Sequence, residues 1–392
     1  MFPDFSGPLD YSIEADDLFR LVATEHYRSV GERFVSKFGS TINRTSSGLM
    51  EYIADRIRGD LSLPTVWRPS FGLADRALYE EGLHVTDPTT IAVELALAFE
   101  PGAGCGCDFS FTLPKPTRVA VGPYVIPIDG NARIRVDSSA LYLERPDTPS
   151  LVLRKDTDGL AFEAQTIDLE RIDIERLPQL RTGDHCVLFA SEASLDGLDE
   201  NELPFPISRR GAEVVPTWSE AYSLIAAASP DYLDWVTRAI RSIIPVQAPS
   251  GSMVSGSQGH RPSEVYMTDH LEPIKLAEML VHEASHQYFH IATFLGPVED
   301  GTDHDLYYSP VVERPRPIEK ILLAYHAFAN VILFLRLCQS RGLGDQDFLE
   351  SNLRRLSEEV ATLQKPLETS RGLTELGKVL WQPLAERLHH AH

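Results

Sequence analysis

The sequence predicts an α+β protein in which mainly helical N- and C-terminal parts flank a β-rich middle module. Three observations predict this. Apolar residues recur at helical spacing through most of the first hundred positions. Short β-rich runs broken by Pro, Gly, Asp or Asn fill residues 108–210. Long apolar helical patterns return beyond residue 219. The chain has 392 residues and is 43% hydrophobic, enough for a large buried core. It divides into a helical region, 1–100, a β-rich module, 101–212, and a mainly helical region, 213–392.

The elements follow in order. Residues Glu14 to Phe38 read as an amphipathic helix, with shorter helical patterns at Ser47–Arg58 and Pro88–Glu100. The segment PGAGCGC (101–107) breaks this run. DFSFTL, TRVAVG, ARIRVD, ALYLER and SLVLRK then read as strands. Nothing in them marks a reaction, so the module is a scaffold or a docking surface. Helical pattern is expected again over Ser219–Ile244. The Ser/Gly-rich segment 248–263 reads as a connector, although such composition also suits a lid. It leads to a strand, EVYMTD, and then to a helix over Ile274–Leu295 that Gly296-Pro297 ends. A loop runs from Val298 to Pro317, which is placed to open a helix over Ile318–Gln339. Further helices complete the chain, and no internal repeat is present. The closing His389-His390-Ala391-His392 reads as a frayed terminus.

Composition excludes several function classes. A net charge of −21 and a pI near 5.0 oppose nucleic-acid binding, which wants a basic face. Four cysteines, Cys105, Cys107, Cys186 and Cys338, make no disulfide scaffold and no CxxC pair. The N-terminus lacks the basic start and apolar stretch of a signal peptide. The most apolar stretch, Ile321–Leu337, carries His326, Asn330 and Arg336, and reads as a core helix rather than a membrane span. A cytoplasmic protein that binds neither membrane nor nucleic acid is expected.

The chemistry is concentrated in His282-Glu283-Ala284-Ser285-His286, an HExxH pattern inside LAEMLVHEASHQYFHIATFL. Histidines four apart on a helix share a face, so both imidazoles can reach one metal ion with the Glu beside it. His290 lies two turns beyond His282, roughly 12 Å along the axis, too far to join both on one ion. A catalytic metal needs a third protein ligand and an open position. The peptidase class that extends the motif with Gly at +7 and His at +10 is excluded, because Phe289 and Ala292 stand there. Glu319 and His326 are the downstream candidates. With Asn330 they form one polar stripe on an otherwise apolar helix, and a polar group in such a place needs a partner. Such a site suits Zn, with Glu283 as the base that activates water, or Fe(II) with open positions for oxygen.

The segment LVHEASHQ, followed by YYSPVVERPRPIEKILLAYHAFANV (307–331), resembles the HExxH-type peptide β-hydroxylases, which depend on 2-oxoglutarate and Fe(II). That family's pattern is LxHExxHQ, then YYxPWRxDPRP, then a helix carrying YAHxAV. The counterparts are Leu280–Gln287, Tyr307–Pro317 and Tyr325-His326-Ala327, within about residues 276–335. The resemblance implies hydroxylation of a side-chain β-carbon in a ribosomally made precursor peptide. O2 and 2-oxoglutarate are consumed, and succinate and carbon dioxide are released. It implies His282, His286 and His326 as Fe(II) ligands, with Arg316, and Arg314 beside it, for the distal carboxylate of the co-substrate. Glu283 would then orient substrate or a bound water rather than act as base. The chain departs from the pattern at Val311-Val312, where the family has Trp-Arg, and at Arg314, where it has Asp. Two other readings are a zinc metallopeptidase, with Glu319 or His326 as third ligand, and a non-catalytic peptide-binding protein.

Overall fold

Five helices open the chain: α1 (Ile13–Ile42), α2 (Leu49–Arg58), α3 (Leu63–Val66), α4 (Pro69–Tyr79) and α5 (Pro88–Ala98). The computed structural model describes residues 5–8, 13–59, 61, 63–79, 87–99, 107–137, 140–146, 148–155, 162–164, 174–183, 185–195 and 203–390. Most of the expected break at PGAGCGC, including Cys105, lies outside them, as do Glu100 and the terminal Ala391-His392. α5 begins where expected because Asp87 caps it, its carboxylate accepting from the N–H groups of Thr89 and Thr90 at 2.9 and 3.3 Å. Pro88 then occupies a first-turn position, where its missing N–H costs nothing.

Among the described residues, the β-rich module holds ten strands: β1 (Cys107–Thr112), β2 (Thr117–Val121), β3 (Tyr124–Ile128), β4 (Asn131–Val136), β5 (Ala140–Arg145), β6 (Thr148–Lys155), β7 (Phe162–Ala164), β8 (Glu175–Arg176), β9 (Gln179–Thr182) and β10 (His185–Phe189). Among the described residues, β1-β4-β5-β6-β7 form an antiparallel sheet and β2-β3-β8 a smaller one. Alternation sets the faces: Ala132, Ile134 and Val136 of β4 are buried, while Asn131, Arg133 and Arg135 are exposed.

The helical reading of Ser219–Ile244 needs correction. The segment forms α6 (Val215–Ala228) and α7 (Pro230–Ala239), split at Ser229-Pro230, and then a strand, β11 (Ser242–Val246). β11 runs parallel to β10 and to β13 (Glu264–Thr268), and β12 (Ser255–Ser257) closes the edge antiparallel. The order β12-β13-β11-β10-β9 thus crosses residue 212, joining strands of the middle module to strands of the C-terminal region. β11 is buried at four of its five positions, so the run SIIPV shows no alternation to announce it.

After this sheet come α8 (Pro273–Thr293), the hairpin β14 (Tyr307–Ser309) and β15 (Arg314–Arg316), and α9 (Ile318–Ser340). The last helices are α10 (Gln346–Thr369) and α11 (Glu375–His390). α9 is long and apolar enough to cross a membrane, but 78% of its apolar window is buried inside the protein. It is a core helix, packed by α8, α10 and α11.

One buried acid ties α8 to α10. Glu278 accepts from Asn352 Nδ2 at 2.5 Å, and burial pushes its pKa up to about 7 from 4.5. A carboxyl raised on folding stabilises the fold below its unfolded pKa, and that contribution is lost as pH rises toward 7. Glu278→Gln keeps an acceptor for Asn352 and removes the charge. It is expected to stabilise the protein at pH 8, by on the order of 2 kcal/mol, and to change little at pH 4. Urea unfolding at the two pH values checks this; equal effects at both would contradict it.

Candidate metal centre

α8 is built to carry a site. Pro273 sits in its first turn, and nearly every residue between Ile274 and Ala292 is buried or half-buried. The helix lies between the β12-β13 edge of the sheet on one side and α6 and α9 on others. Of its chemistry-bearing side chains, Glu283 is buried and His282, His286 and His290 are half-buried.

The structure brings His282 and His286 together, with their Nε2 atoms 3.0 Å apart. Two imidazole nitrogens each about 2.1 Å from one ion and at right angles about it would be about 3.0 Å apart; a tetrahedral angle would separate them by about 3.4 Å. Burial lowers the pKa of His282 to about 4. It lowers that of His286 well below the ordinary value, with coupling to His282, His290, His326 and the Lys320 cation lowering it further. Both rings are thus neutral near pH 7, the state that ligates metal. Among the described residues, Nδ1 of His286 is buried without a hydrogen-bond partner. Two neutral nitrogens set face to face, with little else to bind, fit a cation between them.

Glu283 joins the pair. The ligand atoms of His282, Glu283 and His286 all fall within 4.8 Å of one another. Its Oε1 accepts from Ser255 Oγ on β12 at 2.6 Å, and Ser257 also hydrogen-bonds the carboxyl. Oε2 is buried and makes no hydrogen bond. Burial raises the pKa to about 7 against the pull of the two serines. Those serines were missed from sequence. They lie in the Ser/Gly-rich segment, where only the pairing of β12 with β13 shows that they face α8.

His326 does not join the cluster. It is fully buried on α9 beside Phe289, near enough to His286 to bear on its protonation, but outside the 4.8 Å group. Its Nε2 instead donates to the Phe5 carbonyl at 3.0 Å, and Asn330 Nδ2 donates to the Ser6 carbonyl at 2.7 Å. The polar stripe on α9 therefore holds the N-terminal segment. Gly7 fits only because it lacks a side chain, since a Cβ there would meet Asn330 Oδ1 at 2.4 Å. Glu319, the third member of the stripe, is half-exposed and pairs with Lys320 at 3.2 Å.

His290 also stays outside the group, its pKa lowered to about 4 by burial and Lys320, with Glu319 opposing. Lys320 was not foreseen as a site residue. It opens α9 one turn after Arg316, and its charge reaches both His286 and His290. Arg314 and Arg316 lie on β15, facing Ser309 and Tyr307 across the hairpin. Arg314 is exposed and Arg316 half-buried. Tyr307 is anchored by Asp303, whose carboxylate accepts from its hydroxyl at 3.0 and 3.1 Å. The hairpin also shows solvent an apolar group: Tyr308, Val311 and Val312, with Leu306 before it.

No family model matches the chain. No curated protein matches it either.

Proposed function

We propose that this chain is an Fe(II)- and 2-oxoglutarate-dependent hydroxylase that acts on the β-carbon of a side chain in a precursor peptide. The observation that carries the reading is the neutral His282–His286 pair, 3.0 Å apart at Nε2, on a helix that runs into the resembling hairpin and α9. Bound iron and 2-oxoglutarate would supply oxygen activation. The protein would supply position and charge. His282 and His286 would hold the metal, and His326, whose Nε2 now donates to the Phe5 carbonyl, would be the third ligand. The resemblance, rather than proximity, favours His326 over Glu283, whose carboxyl two serine hydroxyls hold. Arg316, with Arg314 and Lys320, gathers cationic donors for the distal carboxylate of the co-substrate. The exposed Tyr308, Val311 and Val312 offer apolar contact to a peptide.

His326→Ala should lose stoichiometric Fe(II) and all peptide-dependent succinate formation. Anaerobic metal analysis followed by a succinate assay against small peptides measures both; an iron-loaded, active variant would sink the ligand assignment. A second reading has one specific observation behind it. Glu283, its pKa raised to about 7 and its carboxylate within 4.8 Å of the histidine nitrogens, would serve as the base of a zinc peptidase. Zinc-dependent cleavage of peptide without 2-oxoglutarate would favour that reading over the first.

A further inference from the structure

A cavity of about 110 Å³ lies apart from the histidines, between α4 and the ends of β10, β11 and β13. Arg68, Arg241, Arg261 and Ser263 line it together with the acids Glu94 and Glu264, and none of His282, Glu283 and His286 does. Arg261 is already neutralised, in a buried ion pair with Glu264. Arg241 is not. Among the described residues, its Nε is buried without a hydrogen-bond partner. The cations Arg68 and Arg238 repel it, and the weak acids Cys186 and Tyr222 pull the other way. Burial, with Arg68 next, draws its pKa down to about 10.

Ser263 supplies an independent sign. It is 1% exposed, and its Oγ has no hydrogen-bond partner. Its backbone is held at φ 64°, a conformation that non-glycine residues seldom adopt and that clusters at ligand sites. Three backbone hydrogen bonds keep it there: its N–H donates to Gln287 Oε1, and its carbonyl accepts from the N–H groups of Arg241 and Ser242. A half-buried guanidinium with a buried, unmet Nε and a strained serine with an unmet hydroxyl both line one small cavity. Buried polar groups left this way ask for a partner. The volume is far below the roughly 300–1,000 Å³ of sites for drug-sized ligands, so that partner is small.

The geometry points to a binding site for a small oxyanion, a phosphate or a carboxylate group, held by Arg241 and Ser263 and distinct from the metal centre.

The test titrates the full-length protein with sodium phosphate and, separately, sodium acetate, against sodium chloride at matched ionic strength. Melting temperature and calorimetric heat are read. A saturable rise of several degrees with either anion, absent with chloride, is expected. Arg241→Gln should weaken it at least tenfold. Ser263→Gly, which suits the positive φ, should fold normally and weaken it several-fold. Response to phosphate alone identifies a phosphoryl group as the ligand, and response to acetate identifies a carboxylate. No saturable response to either anion, or an undiminished response in Ser263→Gly and in a folded Arg241→Gln, overturns the proposal. If Arg241→Gln does not fold, Ser263→Gly alone carries the decision.

Discussion

His286→Ala is expected to abolish stoichiometric metal binding and to cut turnover by far more than 100-fold. Removing a group that only orients a ligand already costs about 10–100-fold in affinity or activity, and His286 is proposed as a ligand itself. The metal-free protein should hardly notice the change. Among the described residues, Nδ1 of His286 makes no hydrogen bond, and its Nε2 meets His282. The lost imidazole therefore removes one poor contact and a buried, unmet nitrogen. Unfolding of the metal-free variant should shift by less than about 1 kcal/mol, apart from any cavity the ring leaves. His290→Ala supplies the contrast. It sits on the same helix, buried to a similar degree, yet lies outside the ligand group, and it should keep its metal. Metal content of the two variants after anaerobic loading decides the matter. Equal retention would show that the HExxH pair is not the metal site.

How much of this was legible in the sequence differs from element to element. The helical ends, the β-rich middle and the helix carrying His282 and His286 follow from periodicity and from local signals such as Asp87-Pro88 and Gly296-Pro297. Helical spacing alone forces those two imidazoles together, so that half of the site could be read in advance. β11 could not. A strand buried on both faces has no alternation, and its parallel partners lie in distant segments. The same limit hid Ser255 and Ser257, which reach Glu283 only through the pairing of β12 with β13. The need of His326 and Asn330 for partners was foreseeable from their place in an apolar helix. Which partners they take was not, because Phe5 and Ser6 lie more than 300 residues away. Arg241 likewise carries no signal in sequence, since the burial of its Nε among the described residues is a property of the packed fold.

Gly72→Ala is expected to destabilise the protein by about 3 kcal/mol or more, against the usual sign of such a change. Gly72 lies inside α4, where Ala would ordinarily gain about 1 kcal/mol in helix propensity. Here a Cβ would stand 1.8 Å from the carbonyl oxygen of His260 and 2.9 Å from Pro262. The first clash is with backbone, so no side-chain rotation relieves it. Either α4 or the segment 258–263 must move. That segment has little freedom, because Ser263 is bonded to Gln287 on α8 and to the start of β11. The close approach therefore seats the 260–262 end of the Ser/Gly-rich segment against α4. Gly39→Ala is the control. Gly39 is also inside a helix, and nothing lies within 4 Å of its would-be Cβ, so that change should stabilise by up to about 1 kcal/mol. Denaturant unfolding of the two variants separates packing from propensity. If Gly72→Ala proved as stable as Gly39→Ala, the contact between α4 and the 258–263 segment would not hold that segment in place.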